Sequence, residues 1–260
     1  MNKWWASLFI LPLFFSGCSW DSQQNLDIAQ IDQQADDLRA HLYKISEGDD
    51  YYKNENIDFA LLNRIQTVVN ERGESLISSY KDGKIDEAKK EEGLKKVISL
   101  LYFIWMEKFD AAQADKNVDE MEKIFEEQEE FSSNQTIKDY LANNGKIDNF
   151  NKLQDVFKNY PDLIKKNIEI DDNNKKLEQL KSDAAKYENE NNINEYNRVA
   201  DEFNALLETN NNLVEEYNTK LEKYNYEDIY KTFMGMIDAE VIFPGQTDIP
   251  LQNYKNESNT

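Results

Sequence analysis

The apolar residues of this chain recur every three or four positions over most of its length, which places them on one side of a helix. The alternating runs rich in Val, Ile and Thr that indicate strands are missing from the sequence. We therefore predict an all-α fold. Its expected form is an elongated helical bundle that carries a C-terminal antiparallel coiled-coil hairpin.

The predicted bundle occupies residues 26–160 and begins with two amphipathic helices, of which the second contains Gly73. Gly145 is expected to end a helix in the left-handed conformation, and Pro161 is expected to occupy the first turn of a new one. The predicted helices of this region are residues 26–45, 57–80, 86–109, 118–131, 136–143 and 147–160.

The third of these helices is expected to be the most enclosed, because apolar residues occupy more than one of its faces. The apolar run from Val97 to Met106 is far shorter than the roughly 20 residues that span a bilayer, so it is read as core. The residues expected to face inward are Leu94, Val97, Ile98, Leu101, Ile104, Trp105 and Phe109.

A seven-residue repeat takes over in residues 161–225, interrupted at Asn189–Asn192, and predicts two long helices joined at a polar tip. Asn210 falls on the repeat, where it either fixes the register of the pair or is tolerated near a frayed, solvent-facing part. The residues expected at the contact are Ile170, Leu177, Leu180, Ala184, Tyr187, Tyr196, Ala200, Phe203, Leu207, Val214, Tyr217, Leu221 and Tyr224.

The chain is predicted to end with a closing unit over residues 226–251. It consists of one helix over about 226–240 and an apolar segment, 241–251, that lies back across the bundle. Residues 252–260 are expected to form a disordered tail.

Charge narrows the possible partners, because 51 acidic residues outweigh 30 basic ones and give a net charge of −21. Such a surface repels nucleic acid and anionic lipid headgroups, and it favours a basic protein or a cation. Solubility in a crowded envelope is an equally good reading of the acidity. The acidic cluster Glu126, Glu127, Glu129 and Glu130 is the candidate partner surface.

Residue types also limit the chemistry, since Cys18 is the one cysteine and His41 the one histidine. We expect no cofactor, no metal site and no enzymatic activity, and we interpret His41 as an ordinary helix-face residue. Glycosidase chemistry through paired carboxylates and loose calcium binding to acidic faces stay open on residue type alone.

The N-terminus has the features of an export signal: one lysine, an apolar stretch too short to span a bilayer comfortably, and small residues before Cys18. The sequence Phe15-Ser16-Gly17-Cys18 resembles the lipobox of bacterial lipoproteins. The resemblance implies that residues 1–17 are a signal peptide, that cleavage falls between Gly17 and Cys18, and that Cys18 carries acyl chains such as palmitate. Residues 18–25 would then be a lipid-anchored spacer.

The layout of a lipobox followed by Glu-, Lys- and Tyr-rich helices is also similar to helical cell-wall-binding lipoproteins of Gram-positive bacteria. Glu122–Gln128 and Glu216-Tyr217-Asn218 carry this likeness, which supplies no functional residues. The function expected is a non-enzymatic lipoprotein, on the cell membrane or outer membrane and facing away from the cytoplasm, that binds an envelope protein or a cell-wall polymer. The alternative is an acidic immunity or inhibitor lipoprotein that captures a basic toxin or enzyme. The type of envelope and the oligomeric state stay open.

Overall fold

A computed structural model of the chain describes residues 20–46 and 58–244, and within these ranges the chain is helical without strands, which confirms the all-α prediction. The predicted signal peptide, Cys18 and the predicted tail at 252–260 lie outside the described residues. The helices are α1 (Trp20–Ser46), α2 (Phe59–Lys81), α3 (Glu87–Ala114), α4 (Val118–Ser132), α5 (Gln135–Asn143), α6 (Ile147–Asn189), α7 (Ile193–Lys223), α8 (Tyr226–Met236) and α9 (Ala239–Ile242).

Helix α3 is the centre of the bundle, as its broad apolar surface predicts. All seven of the residues expected to face inward are buried. Helices α1, α2, α4, α5, α8 and α9 each pack against it. Trp105 is completely enclosed, and its ring packs edge-on against Tyr102, with 5.2 Å between the ring centroids. The run from Val97 to Met106 is therefore core.

Two glycines let α2 and α3 approach closely. A Cβ atom on Gly73 would lie 3.1 Å from Cγ1 of Val97, and one on Gly93 would lie 2.5 Å from Cδ1 of Leu76. Gly73 thus has a packing role in the middle of α2, and its helix is not interrupted there. The low helix propensity of glycine is offset by the contact between the two helices that it permits.

Short polar side chains fix where most helices begin. Asp58, Asp86, Asn117 and Asn192 each accept a hydrogen bond from a backbone N–H in the first turn of the helix that follows. Gly145 has φ 64°, so the predicted left-handed helix end is confirmed.

Helix α1 begins at Trp20, six residues before the expected start, so residues 20–25 of the predicted spacer are helical. The apolar pattern begins at Leu26 because the preceding turns are mostly polar, and polar residues do not by themselves end a helix. On the inner side of α1, the carboxylate of Asp27 is buried, with Oδ1 3.2 Å from Nη1 of Arg72 and Oδ2 2.8 Å from Oγ of Ser75.

The expected helix boundary at Pro161 is wrong, because α6 runs without interruption from Ile147 to Asn189. A proline inside a helix costs about 3 kcal/mol, since it lacks an N–H and crowds the preceding turn. Here Phe157, Tyr160 and Leu163, on either side of it, are buried against the bundle. Their packing holds the helix together through the proline.

The single closing helix expected over 226–240 is divided into α8 and α9 by Asp238. The backbone N–H of Asp238 donates to Oγ of Ser99 at 2.8 Å, and its carboxylate accepts from the N–H of Glu240 and pairs with Lys95. These bonds to α3 and to the next turn replace those of a continuous helix.

The start of the apolar C-terminal segment lies on the bundle, as predicted. Ile242 is buried, the ring of Phe243 lies 5.8 Å from that of Phe103, and Arg39 donates to the carbonyl of Val241 at 2.7 Å. The prediction for residues 245–251 lies outside the described part of the chain.

Candidate partner-binding surface

Helices α6 and α7 lie antiparallel and are joined by a turn at residues 190–192. Lys166 in the middle of α6 donates to Glu216 near the end of α7 at 2.9 Å, and Asn210 donates to Asn174 further along at 2.9 Å. The long hairpin is therefore present, whereas supercoiling of its two helices stays a prediction. Asn210 is 5% exposed, which excludes a frayed or solvent-facing position.

Most of the hairpin extends away from the bundle. The main hydrophobic core includes Ile168 on α6 and Tyr217 on α7 at its edge, and among the described residues it includes none between these two. The contacts that helix α7 makes are mainly with α6. The outer face of α7 is consequently available over a long distance.

The row of α7 that faces α6 differs in part from the expected one. Val199 is buried and Leu206 and Leu213 are half-buried, and these residues come three positions after Tyr196, Phe203 and Asn210. In the expected row four positions after them, Ala200 and Val214 are half-buried, whereas Leu207 and Leu221 are 37% and 36% exposed. Both rows are apolar, so the repeat alone did not decide which one packs inward.

The displaced row forms an apolar band on the exposed side of α7, which we call the outer stripe. Its members share a spacing of seven and extend over 29 residues, which is about 42 Å of helix from the first to the last. The large exposed hydrophobic side chains of the described residues are Ile193, Tyr196, Leu207 and Leu221, and all of them belong to α7. The outer stripe consists of Ile193, Ala200, Leu207, Val214 and Leu221.

Two polar rows with the same spacing run beside the outer stripe. A row of asparagines lies next to the outer stripe on the helix surface, and a row of acidic residues lies next to the asparagines, on the side away from the stripe. Every member of both rows is exposed. The asparagine row is Asn197, Asn204, Asn211 and Asn218, and the acidic row is Asp201, Glu208, Glu215 and Glu222.

The acidic row is not neutralised by the protein itself. Other acids of α7 do have basic neighbours: Glu195 and Glu202 pair with Arg198, and Glu216 pairs with Lys166. Within the described part of the chain, by contrast, no member of the acidic row forms an ion pair. The acidic row is therefore a free negative edge along the outer stripe.

The acidic cluster predicted on α4 divides between two directions. Glu126, Glu129 and Glu130 are exposed. Glu127 points inward, where its Oε2 accepts from Gln66 at 2.7 Å and lies 3.6 Å from Nζ of the fully buried Lys108. Three of the four carboxylates thus remain available to a partner, and the surface around them contains no large exposed hydrophobic residue among those the structure describes.

The carboxyl groups of Glu107 and Asp110 lie half-buried on α3. Burial and the neighbouring Asp110 raise the pKa of Glu107 to about 8, and burial raises that of Asp110 to about 7. Burial, followed by the charges of Tyr217 and Asp110, raises the pKa of Tyr160 to about 12, and Gln113 donates to the Tyr160 hydroxyl at 2.9 Å. Glu107 and Asp110 change charge near neutral pH, which is a property shared by general acids and by structurally buried acids.

His41 serves a local structural purpose, since its Nε2 accepts from the backbone N–H of Asp58 at 3.5 Å. In residues 20–46 and 58–244, no group of three or more His, Cys, Asp or Glu side chains is arranged to hold a metal ion. Over the same ranges, no helix is both long enough and apolar enough to cross a membrane.

Comparison with known proteins yields no relative: no family model matches the chain, and neither does any curated protein or solved structure. The candidate surface therefore stands on its own geometry. Sequence reasoning expected Ala200, Leu207, Val214 and Leu221 at the contact with α6, whereas the structure leaves Ala200 and Val214 half-buried and Leu207 and Leu221 exposed. Sequence reasoning also missed both polar rows. The sevenfold spacing of the asparagines and acids was visible in the sequence and identifies the face.

Proposed function

We propose that this protein is a non-enzymatic lipoprotein of the bacterial envelope, and that its hairpin binds another envelope component, either a protein or a cell-wall polymer. Acyl chains on Cys18 would hold it at the cell membrane or outer membrane, outside the cytoplasm. Two acyl chains are what stable anchoring requires, and the acidic body offers no electrostatic attraction to anionic headgroups.

The observation that supports the proposal is the placement of the large exposed hydrophobic side chains on α7 alone. Single exposed apolar residues are ordinary, but a line of them along one helix is typical of an interaction site. The hairpin also carries this line beyond the core of the bundle, where a partner can reach it.

Two measurements on the full-length chain in its native cell test the proposal. Labelled palmitate should be incorporated by the wild type and not by Cys18→Ser, and only the wild type should sediment with membranes. After mild cross-linking, the wild type should be recovered with purified sacculi or in a complex with an envelope protein. An unlabelled chain, or failure in both recovery assays, would contradict the proposal.

A second candidate function is an immunity or inhibitor lipoprotein that captures a basic toxin or enzyme at the membrane. The unpaired carboxylates of the acidic row favour it, because such an edge accelerates encounter with a cationic protein. Deleting the gene should then make the cell sensitive to a secreted basic toxin of its own kin. Unchanged survival would remove this candidate.

A further inference from the structure

We infer that the outer stripe of α7 is the docking surface for a basic amphipathic helix of a partner protein. The inference rests on the proposed function, to which it adds the chemistry of the partner. Its structural basis is the combination of an apolar band about 42 Å long with an uncompensated acidic edge on the same helix.

The apolar component defines the shape of the occupant. A band with sevenfold spacing on a straight helix is matched by the apolar face of a second helix lying along it. The positions of Leu207, Val214 and Leu221 beside the contact between α6 and α7 would let that helix complete a three-helix arrangement. An occupant of this kind would cover the side chains that are now more than one-third exposed.

The polar rows define the charge of the occupant. A helix lying on the outer stripe would have one edge over the asparagine row, whose side chains both donate and accept hydrogen bonds. The side chains that flank the apolar face of that helix would then reach the acidic row. Lysine or arginine at those flanks would pair with Glu208, Glu215 and Glu222. An acidic helix would meet like charges directly.

The same charges argue against a second copy of this chain as the occupant. Each copy carries a net charge of −21, and a two-fold antiparallel arrangement of two α7 helices would place one acidic row against the other. The α4 cluster offers negative charge without an apolar band, so it provides a matched comparison.

The test uses the full-length, detergent-solubilised protein and a dye-labelled synthetic 28-residue helix that has leucine at sevenfold spacing and lysine flanks. An otherwise identical helix with glutamate flanks serves as the second probe. Binding is measured by fluorescence anisotropy in about 0.15 M salt. The lysine helix should bind, and the glutamate helix should bind at least tenfold more weakly, which corresponds to about 1.4 kcal/mol.

Two pairs of variants locate the binding site. Leu207→Gln with Leu221→Gln should weaken binding at least tenfold, whereas Asn212→Gln with Thr219→Gln, exposed on another face of α7, should not change it. Removing three charges from the acidic row (E208Q/E215Q/E222Q) should weaken binding more than removing three from α4 (E126Q/E129Q/E130Q). Should the glutamine variant lose helicity, Leu207→Ala with Leu221→Ala repeats the test with the best helix former.

Four outcomes would overturn the inference: no binding of the lysine helix, equal binding of both helices, equal effects of the stripe and control variants, or equal effects of the two charge removals. Sedimentation of the free protein supplies a fifth. A dimer that Leu207→Gln with Leu221→Gln dissolves would show that a second copy occupies the stripe. All of these leave palmitate labelling and envelope recovery intact, so they are distinguishable from failure of the proposed function.

Discussion

Replacing Glu107 by glutamine should stabilise the protein at pH 8 and have a much smaller effect at pH 4.5. Burial and Asp110 raise the pKa of Glu107 from 4.5 to about 8, so the folded state holds this proton more tightly than the unfolded chain does. The free energy of unfolding contributed by the protonated group is then fully present below pH 4.5 and is lost as the pH rises toward 8. Glutamine is neutral throughout and does not show this loss.

The size of the effect follows from the same numbers. At about 1.4 kcal/mol for each unit of pKa, the full change corresponds to at most about 5 kcal/mol. Because the side chain is only half-buried and shares its site with Asp110, solvent and coupling reduce this value. We expect Glu107→Gln to gain about 2 kcal/mol over the wild type at pH 8.

The assay is urea unfolding monitored by circular dichroism at pH 4.5, 6 and 8, for the wild type, Glu107→Gln and the control Glu222→Gln. Glu222 is exposed, so its variant should differ from the wild type by less than about 0.5 kcal/mol at every pH. The difference between Glu107→Gln and the wild type should increase with pH. A constant difference, or one that decreases as the pH rises, would refute the reasoning about burial of Glu107.

Three further substitutions test the packing. Lys108→Met should lower the free energy of unfolding by about 3 kcal/mol in denaturant titrations, because it removes a fully buried charge from its carboxylate partners. The control is Lys123→Met, which should lower it by less than about 1 kcal/mol because the Lys123 side chain is 52% exposed. Equal losses for the two variants would contradict the assigned burial. Gly145→Ala should cost about 1 kcal/mol through its φ of 64° alone, since nothing lies within 4 Å of the added Cβ, and an unchanged melting temperature would contradict this. Asn210→Leu should raise the melting temperature while permitting alternative pairings of α6 and α7, detectable as extra cross-links between cysteines introduced on the two helices; a single pairing would show that Asn210 does not set the register.

The helices of the bundle could be predicted from the sequence because each has one apolar side and most begin at a short polar residue that caps the first turn. The start of α4 follows from Asn117, and the turn at Gly145 follows from the need for a left-handed residue. The inner face of α3 was equally predictable, since its apolar residues exceed what one stripe can hold.

Errors occurred where tertiary contacts override a local signal. Pro161 is a strong helix-breaking signal, but buried neighbours on both sides hold α6 together, and no local pattern reveals them. Asp238 ends α8 through a bond to Ser99, which is 139 positions away in the sequence. Neither the packing around Pro161 nor the hydrogen bond between Asp238 and Ser99 can be predicted from the sequence alone.

The candidate surface was only half predictable for a related reason. Leu206 and Leu207 are both apolar and adjacent, so either could face α6, and the choice depends on the rotation of one helix against the other. The structure turns Leu207 outward. That rotation leaves Leu207 and Leu221 of the expected contact row exposed, on the side of α7 that also carries the asparagine and acidic rows.

The most direct test of the central claim is site-specific photo-cross-linking of the full-length chain in its native cell, with a photoreactive residue at position 207 or at position 212. Both positions lie on exposed parts of α7, on different faces. We predict an adduct with an envelope partner from position 207, joined to a partner segment that has basic residues and apolar residues at helical spacing, and no adduct from position 212. Adducts of equal yield from both positions, or no adduct from position 207 in cells where the chain is lipidated, would contradict the account.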